Sequence, residues 1–168
     1  AGDLPNMKHQ KRSRREQRKK RFWTRERALA ALPYVTPVVR SLREHRLEAQ
    51  AQRLTARRLS KMPGRPTRDM IIAEEEAKKS TEQAKARYQE ALRELHALNL
   101  KCADAIRGEV LFPFRHGDLL AWLIYELFEQ EPLTTWRYRD DPDDMRRDFS
   151  EIQDEITEVS QAPRRKRR

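Results

Sequence analysis

Cysteine, glycine and long hydrophobic runs are scarce in this chain of 168 residues, and each scarcity excludes a class of protein. The single cysteine, Cys102, excludes a disulfide framework and a cysteine-ligated zinc site. The four glycines are too far apart in sequence for a P-loop or a dinucleotide-binding fingerprint. The apolar run at residues 119–128 has about half of the ~20 residues that a membrane span requires, and it contains Glu126. No hydrophobic signal-peptide core follows the basic N-terminus, so we expect a cytoplasmic protein without a membrane partner.

Residue types that carry catalysis or bind metals are present, but they form no recognisable pattern. The chain has four histidines, His9, His45, His96 and His116. The second and third lie on opposite helices of the hairpin predicted below, yet no cysteine accompanies them, and His116 beside Gly117 is interpreted as a turn residue. Four aspartates between residues 140 and 144 lack the order of a calcium-binding loop and fit helix capping better. We therefore predict no metal, no cofactor and no enzymatic activity.

Positive charge is concentrated at the two ends of the chain. Residues 1–21 hold nine lysines and arginines and two acids, whereas residues 22–163 hold 23 basic and 25 acidic residues. Blocks of like charge cannot bury apolar surface, so residues 1–21 and 161–168 are predicted to be disordered basic tails. Arginine outnumbers lysine at both ends, and its planar guanidinium pairs with phosphate through two hydrogen bonds. A second interpretation is a solubility tail or an expression remnant, with Met7 as the native start.

The polyanion hypothesis assigns the nucleic-acid contacts to the basic ends and to two aromatic residues beside the N-terminal arm. The predicted contacts are Lys8, Lys11, Arg12, Arg14, Arg15, Arg18, Lys19, Lys20, Arg21, Phe22, Trp23, Arg164, Arg165, Lys166, Arg167 and Arg168. Phe22 and Trp23 either wedge into RNA or anchor the base of the arm, and the sequence leaves both open. The aromatics of the predicted strands can stack on bases, but core and cross-strand packing explains them better.

Residues 22–99 predict two long helices. Thr24 is a candidate N-cap, and Pro33 and Pro37 are expected to break or kink the first helix near residue 33. The "MPGRP" tract ends this helix near Lys61. Its apolar stripe comprises Val35, Val39, Leu42, Leu47, Ala51 and Leu54. The second helix, residues 67–99, has a stripe of Met70, Ala73, Ala77, Ala84, Tyr88, Ala91, Leu95 and Leu98. Two long helices joined by a short turn predict an antiparallel hairpin.

The second half of the chain predicts strands and then a helix. Residues 109–114 and 119–125 read as strands joined by a turn at Gly117, with Pro113 restricting the first to an edge or a bulge. Residues 119–128 are alternatively a buried helix, and residues 132–139 are predicted to be a third strand. Residues 141–160 predict an amphipathic helix with Asp141 as N-cap and Pro142 at its first position. Its stripe, which is expected to dock on the domain or on a second copy, comprises Met145, Phe149, Ile152, Ile156 and Val159.

Three segments of the chain resemble the bacterial domain-of-unknown-function family 2203. They are "RFWTRERALAALPYVTPVV" (21–39), "LRELHALNLKCADAIRGEVLFPFRHGD" (92–118) and "EPLTTWRYR" (131–139). The resemblance covers about residues 21–140 and implies a helical hairpin with a small antiparallel sheet. It implies no activity, and because Arg137 follows Trp136 where the family has a histidine, no role of that histidine is carried over.

The expected fold is therefore α+β and mostly α, with a long antiparallel helical hairpin, a small antiparallel β-sheet and a C-terminal amphipathic helix between disordered basic tails. The predicted units are an arm (1–21), a domain (22–140), a helix (141–160) and a tail (161–168). We expect a non-enzymatic nucleic-acid-binding protein, with RNA favoured over DNA, associated with the ribosome or the nucleoid. The alternative is a structural or assembly protein that self-associates, or docks in a larger complex, through its long helices and its C-terminal helix.

Overall fold

A computed structural model describes the backbone of residues 22–161 and the side chains of residues 22–155. Residues 1–21 and 162–168, which hold most of the predicted nucleic-acid contacts, lie outside the described residues. The elements in chain order are α1 (Arg25–Ser60), α2 (Arg68–Ala97), β1 (Lys101–Asp104), β2 (Glu109–His116), β3 (Leu119–Glu126), β4 (Thr135–Tyr138), β5 (Arg147–Asp148) and α3 (Ser150–Gln161). The predicted class, a helical hairpin with an antiparallel sheet and a C-terminal helix, is confirmed.

Both long helices begin at a threonine cap. The hydroxyl oxygen of Thr24 accepts from the N–H of Arg27, and that of Thr67 accepts from the N–H of Met70, so each satisfies one free donor of its helix. At the other end of α2, Asn99 takes the left-handed conformation (φ 59°) that commonly closes a helix. These local signals, together with the Pro/Gly tract between the helices, determine where the hairpin begins, turns and ends.

Near residue 33 the sequence predicted a break or a kink, and the break is wrong, because α1 continues through Pro33 and Pro37 to Ser60. Each proline removes one backbone donor, which disfavours an isolated helix at these positions. Tertiary packing compensates for that loss, because the turns around the prolines place Val35 and Val39 in the fully buried core. The hydroxyl of Thr36 also lies 2.8 Å from the hydroxyl of Tyr125 on the sheet.

The helix–helix seam is narrower than the apolar stripes predicted. On α2, Ala77, Ala84, Ala91 and Leu95 are buried as expected, and Thr81 fills the gap of seven residues by donating its hydroxyl to the carbonyl of Ala77. On α1 the predicted stripe fails after Leu42. The only buried residue beyond Leu42 in that helix is Ala49, while Ala51 and Leu54 are exposed.

The five strands form one antiparallel sheet in the order β1-β2-β3-β4-β5. The β2–β3 hairpin turns at Gly117, whose φ is +60°, and residues 119–126 are a strand rather than the alternative helix. The third predicted strand is confirmed as β4, whereas the short β1 and β5 carry too few residues to stand out in sequence. Gly108 precedes β2 at φ +68°, and a Cβ there would lie 2.6 Å from the Cβ of Leu127.

Pro113 fits inside this sheet because it lies where one side of β2 is not paired with another strand. The strand β1 pairs only with Glu109–Leu111, so the side of β2 that faces β1 is open beyond Leu111. The carbonyl of Pro113 accepts from the N–H of Trp23 at 2.7 Å on that side. Since the N and the carbonyl of one strand residue point the same way, the missing donor of Pro113 does not face β3. The edge-strand prediction therefore holds for the second half of β2 and is wrong for the first.

The C-terminal helix begins at Ser150, so the predicted start at Asp141 is wrong. Asp148 lies two residues before this start, and its carboxylate accepts from both the N–H and the hydroxyl of Ser150. The preceding residues form turns and β5 instead of a helix, which moves the boundary predicted at residue 141. Of the predicted stripe, Phe149 and Ile152 are buried in the core of the domain.

The hairpin packs on one face of the sheet, and we call the opposite face the outer face. Alternate residues of β2 and β3, such as Val110, Phe112 and Leu123, join the core formed with α1 and α2. Their neighbours, which pair as Leu111–Ile124 and Pro113–Trp122, lie on the outer face. A search of the described helices found none with both the length and the apolar character needed to cross a membrane.

Candidate nucleic-acid interface at the base of the arm

Trp23, which follows the arm by two residues in sequence, is held against the domain by several contacts. Its backbone N–H donates to Pro113, and its indole Nε1–H donates to the carbonyl of Leu98 at 3.2 Å. The indole also meets the ring of Phe112 edge-on, with 5.1 Å between the ring centroids. Trp23 is therefore placed as an anchor between the sheet and the end of α2, which is one of the two roles that the sequence left open.

Beside this anchor, the outer face contains a cavity of about 490 Å³. Its lining includes Phe22, Lys101, Leu120, Trp122 and Arg139. None of the described residues that line it is acidic. We call it the arm-base cavity, because Phe22 follows directly after the last residue of the arm.

A cation lies close to each of the two aromatic rings that line the arm-base cavity. The Nζ atom of Lys101 lies 5.8 Å from the ring centroid of Trp122, and the guanidinium of Arg115 lies 5.7 Å from that of Phe22. Lys101 and Arg115 are exposed, so their charges face solvent, whereas Phe22 and Trp122 are half-buried. Aromatic rings with cations beside them are the elements that proteins use to bind the bases and phosphates of single strands.

The structure distinguishes the aromatic residues that belong to the core from the one that lies on the outer face, which the sequence could not do. Trp136 and Tyr125 are buried in the core, and the indole of Trp136 donates to the carbonyl of Asp148. The rings of Tyr138 and Trp136 meet edge-on, with 4.8 Å between their centroids. Trp122 alone among the aromatics of β3 and β4 lies on the outer face, as its pairing with Pro113 requires. Core packing is therefore the correct interpretation for Tyr125 and Trp136 and an incomplete one for Trp122.

A network of ion pairs covers the part of the outer face that lies away from the arm-base cavity. Arg146 pairs with Glu109 at 3.0 Å and with Glu126 at 3.5 Å, and Arg107 pairs with Glu126 at 2.8 Å. Arg137, which is 4% exposed, donates to the backbone carbonyl and carboxylate of Asp143. Leu111 and Ile124 are fully buried on this face although they are not part of the hairpin-side core. The acids of the outer face are therefore already paired with arginines, away from the arm-base cavity.

Glu129 is the least satisfied carboxyl group near this network. Its Oε2 atom is buried and has no hydrogen-bond partner, and burial followed by the adjacent Glu126 raises its pKa above the ordinary carboxyl value. A raised pKa means that the folded protein holds this proton more tightly than the unfolded chain does. The contribution of Glu129 to stability therefore falls as the pH rises from about 4 toward the raised value.

We expect Glu129→Gln to stabilise the protein at neutral pH by about 1 kcal/mol at most, since Glu129 is partly exposed and solvent screens the repulsion. The gain should disappear at a pH well below the ordinary carboxyl value, where Glu129 is neutral in both the folded and the unfolded protein. The measurement is the melting temperature as a function of pH. The matched control is Glu131→Gln, because Glu131 is exposed. Equal changes for both variants at all pH values would contradict the prediction.

His116 is more than the turn residue that the sequence predicted. Its Nδ1 atom lies 2.9 Å from the hydroxyl of Tyr138, and its Nε2 atom lies 2.9 Å from a carboxylate oxygen of Glu155 on α3. The imidazole also meets the ring of Trp136 edge-on at 5.2 Å. His116 therefore connects α3 to the sheet. No sequence signal identifies this contact, because its partners are 22 and 39 residues away.

The aspartates of residues 140–144 do not cap a helix as predicted. The carboxylate of Asp141 accepts from the guanidinium of Arg147 at 2.9 and 3.1 Å and from the N–H of Tyr138. The hydrogen bond from Arg147 lowers the pKa of this carboxyl group. Asp143 pairs with Arg137. Among the described residues, no group of three or more histidines, cysteines or acids is arranged to hold a metal ion.

The thiol of Cys102 is protonated at neutral pH. Burial, followed by the negative charges of Asp104 and Glu109, raises its pKa to about 11. Because the thiolate is the nucleophilic form, this environment disfavours attack by Cys102.

Comparison with protein families identifies one family for most of the chain. A family model described as "Uncharacterized conserved protein (DUF2203)" matches residues 21–149, from the last residue of the arm to the start of α3. Searches of curated proteins and of solved structures gave no significant match. The match includes α1, α2 and all five strands, and thereby the whole lining of the arm-base cavity. The chain therefore belongs to the DUF2203 family of uncharacterised conserved proteins.

Proposed function

We propose that this protein is a non-enzymatic nucleic-acid-binding protein, with RNA as its preferred ligand. Its basic ends would neutralise phosphates, and the arm-base cavity would hold a base next to them. The observation that carries the proposal is the position of the cavity. Nine basic residues end at Arg21, and the next residue, Phe22, lines an acid-free cavity that also contains Lys101, Trp122 and Arg139.

The two parts would contribute differently to binding. Contacts between phosphates and the lysines or arginines of the arm give affinity that depends strongly on salt and weakly on sequence. Stacking of a base on an aromatic ring adds about 1–3 kcal/mol and depends little on salt or on the identity of the base. The half-buried ring of Trp122, with Lys101 beside it, has the geometry for such a contact. Binding to single-stranded regions is therefore favoured at the cavity.

The alternative, a structural or assembly role through the C-terminal helix, stays a prediction with less support. That hypothesis requires the apolar stripe of residues 145–159 to be free for a partner. Phe149 and Ile152 are buried inside the domain, and so they contribute no free surface. We therefore keep RNA binding as the proposed function, and with it the expected association with ribonucleoproteins in the cytoplasm.

The test is binding of a fluorescent single-stranded RNA, measured by anisotropy, to the full chain and to Trp122→Ala. We expect the variant to bind about 5- to 100-fold more weakly, the loss of one stacked base, with an unchanged salt dependence. The matched control is Phe128→Ala. Phe128 is also an aromatic with a nearby cation, since Arg43 lies 5.1 Å from its ring centroid, but it is 69% exposed and does not line the cavity.

Lys101→Glu provides an independent test, because Lys101 is exposed and its replacement leaves the packing of the sheet intact. This variant should also weaken binding, and it should make the salt dependence shallower by about one phosphate contact. Binding by Trp122→Ala and Lys101→Glu that equals binding by Phe128→Ala would contradict a role for the cavity. A full chain that binds neither RNA nor DNA would contradict the proposed function as a whole.

A further inference from the structure

The tip of the helical hairpin is a strongly basic surface at the end of α2 opposite to Trp23. Residues 53–69 carry six cations and one acid, Asp69. Along the sequence, the next acids on either side of this segment are Glu48 and Glu74. The cations are Arg53, Arg57, Arg58, Lys61, Arg65 and Arg68, and all of them are exposed. The near-neutral average of residues 22–163 conceals this local excess of positive charge.

These cations are also unpaired. None of the ion pairs within the described part of the chain involves them, although Lys78 and Lys85 farther along α2 pair with Glu74 and Glu82. Five of the six are arginines, whose guanidinium groups fit phosphate oxygens through two hydrogen bonds. A cluster of like charges without neutralising partners destabilises the free protein and is relieved when a polyanion binds.

The tip contributes nothing to the core that would explain its length. Between Ala49 and Ala77 no described residue is buried, so the last turns of α1, the connecting turn and the first turns of α2 bury no side chain completely. Leu54, Met62 and Ile71 are each at least half exposed at this end. Exposed apolar groups beside a charged cluster are typical of an interaction surface.

We propose that the hairpin tip, residues 53–69, is a second RNA-binding surface that contacts the phosphate backbone of a double-stranded segment. This inference rests on the proposed function, because the same RNA would be held at the base of the hairpin by the arm. The two surfaces are at opposite ends of α2, since Trp23 contacts the carbonyl of Leu98 just after that helix. Thirty residues of helix place them about 45 Å apart.

The charge pattern favours RNA over an anionic membrane. A helix that binds an anionic membrane places one apolar face in the headgroup boundary and carries its lysines and arginines on the other face. Here the outermost turn, residues 63–68, carries Arg65 and Arg68 and contains no large apolar side chain. A rigid helix pair that separates two cationic surfaces suits an extended polyanion that reaches both.

The experiment compares the full chain with Arg65→Glu/Arg68→Glu, using RNA duplexes of about 24 and about 8 base pairs. At roughly 3 Å per base pair, the longer duplex spans both surfaces and the shorter one cannot. We expect the variant to bind the longer duplex at least 10-fold more weakly, with a salt slope shallower by about two contacts. Binding of the shorter duplex, which the arm alone can hold, should change little.

The matched control is Arg87→Glu/Arg93→Glu, which makes the same change in charge at exposed positions of α2 away from the tip. The neutral variant Arg65→Gln/Arg68→Gln should show a smaller effect in the same direction, and far-UV circular dichroism should be unchanged in all variants. Equal weakening by the tip and control variants would overturn the inference and leave the proposed function standing. No RNA binding by the unmodified chain would overturn both. A tip variant that keeps RNA binding but loses binding to phosphatidylserine vesicles would reassign the tip to a membrane surface.

Discussion

Deleting residues 1–21 is expected to remove most of the salt dependence of nucleic-acid binding and to leave the fold intact. The arm contributes nine lysines and arginines. If six of them contact phosphates, the slope of log K against log[salt] is roughly −4 to −5, so the full chain should lose about 10³ in affinity between 50 and 200 mM salt and the deletion variant much less. The measurement is fluorescence anisotropy with RNA and DNA oligonucleotides across a salt series.

The deletion ends before Phe22, so every described contact of Trp23 is retained, and the melting temperature should not change. The C-terminal "RRKRR" should retain a weaker interaction with a shallower slope, and removing both ends should remove most of the remaining affinity. The control is a full-length variant in which the nine basic residues of the arm are replaced by glutamine. It separates the effect of losing the charges from the effect of shortening the chain. If the doubly truncated protein binds as tightly as the full chain, the ends are only solvated tails.

Leu95→Asp should strongly destabilise the protein or unfold it. Leu95 is fully buried where α2 meets both α1 and the sheet-side core. Aspartate there would place a charge without a partner in an apolar environment and would also remove the packing of the leucine. We expect a loss of about 4 kcal/mol or more, which is a large part of the 5–15 kcal/mol that stabilises a typical domain.

The control is Leu54→Asp, which makes the same substitution on the other helix of the hairpin. Sequence periodicity places Leu54 in the buried stripe of α1, but the side chain is 53% exposed. Its replacement should change the free energy of unfolding by no more than about 0.5 kcal/mol. Urea denaturation of both variants measures the difference. A large loss at Leu54 would mean that the tip of the hairpin packs against something in solution, such as a second copy.

The contrast between Leu95 and Leu54 shows how far periodicity predicts this hairpin. The caps Thr24 and Thr67 and the "MPGRP" turn act through neighbouring residues, so the sequence locates the helices well. Burial depends on what a helix face meets. The apolar residues of α1 are fully buried only as far as Ala49, and beyond it Ala56 and Leu59 are half-buried and Leu54 is exposed.

The candidate site was predictable in parts. Phe22 and the basic arm could be identified because they adjoin in sequence, although the arm lies outside the described residues. Lys101, Trp122 and Arg139 could not be associated with them, since strand pairing and the anchor of Trp23 bring distant segments together. The basic tip was hidden for a different reason. Its six cations lie in one short stretch of the sequence, but their excess disappears when charge is averaged over the whole of residues 22–163.

The sequence by itself determined the features that depend on neighbouring residues: the two helices and the turn between them, the β2–β3 hairpin at Gly117, and the placement of charge at the ends. The tertiary structure decided those that depend on long-range contacts. It kept α1 helical through Pro33 and Pro37, because the turns around them bury Val35 and Val39 against the sheet. It also placed Asp141 in a hydrogen-bonded ion pair with Arg147, and α3 begins only at Ser150. The charge-assisted pair between these two residues outweighs the local helix cap that Asp141 would otherwise form.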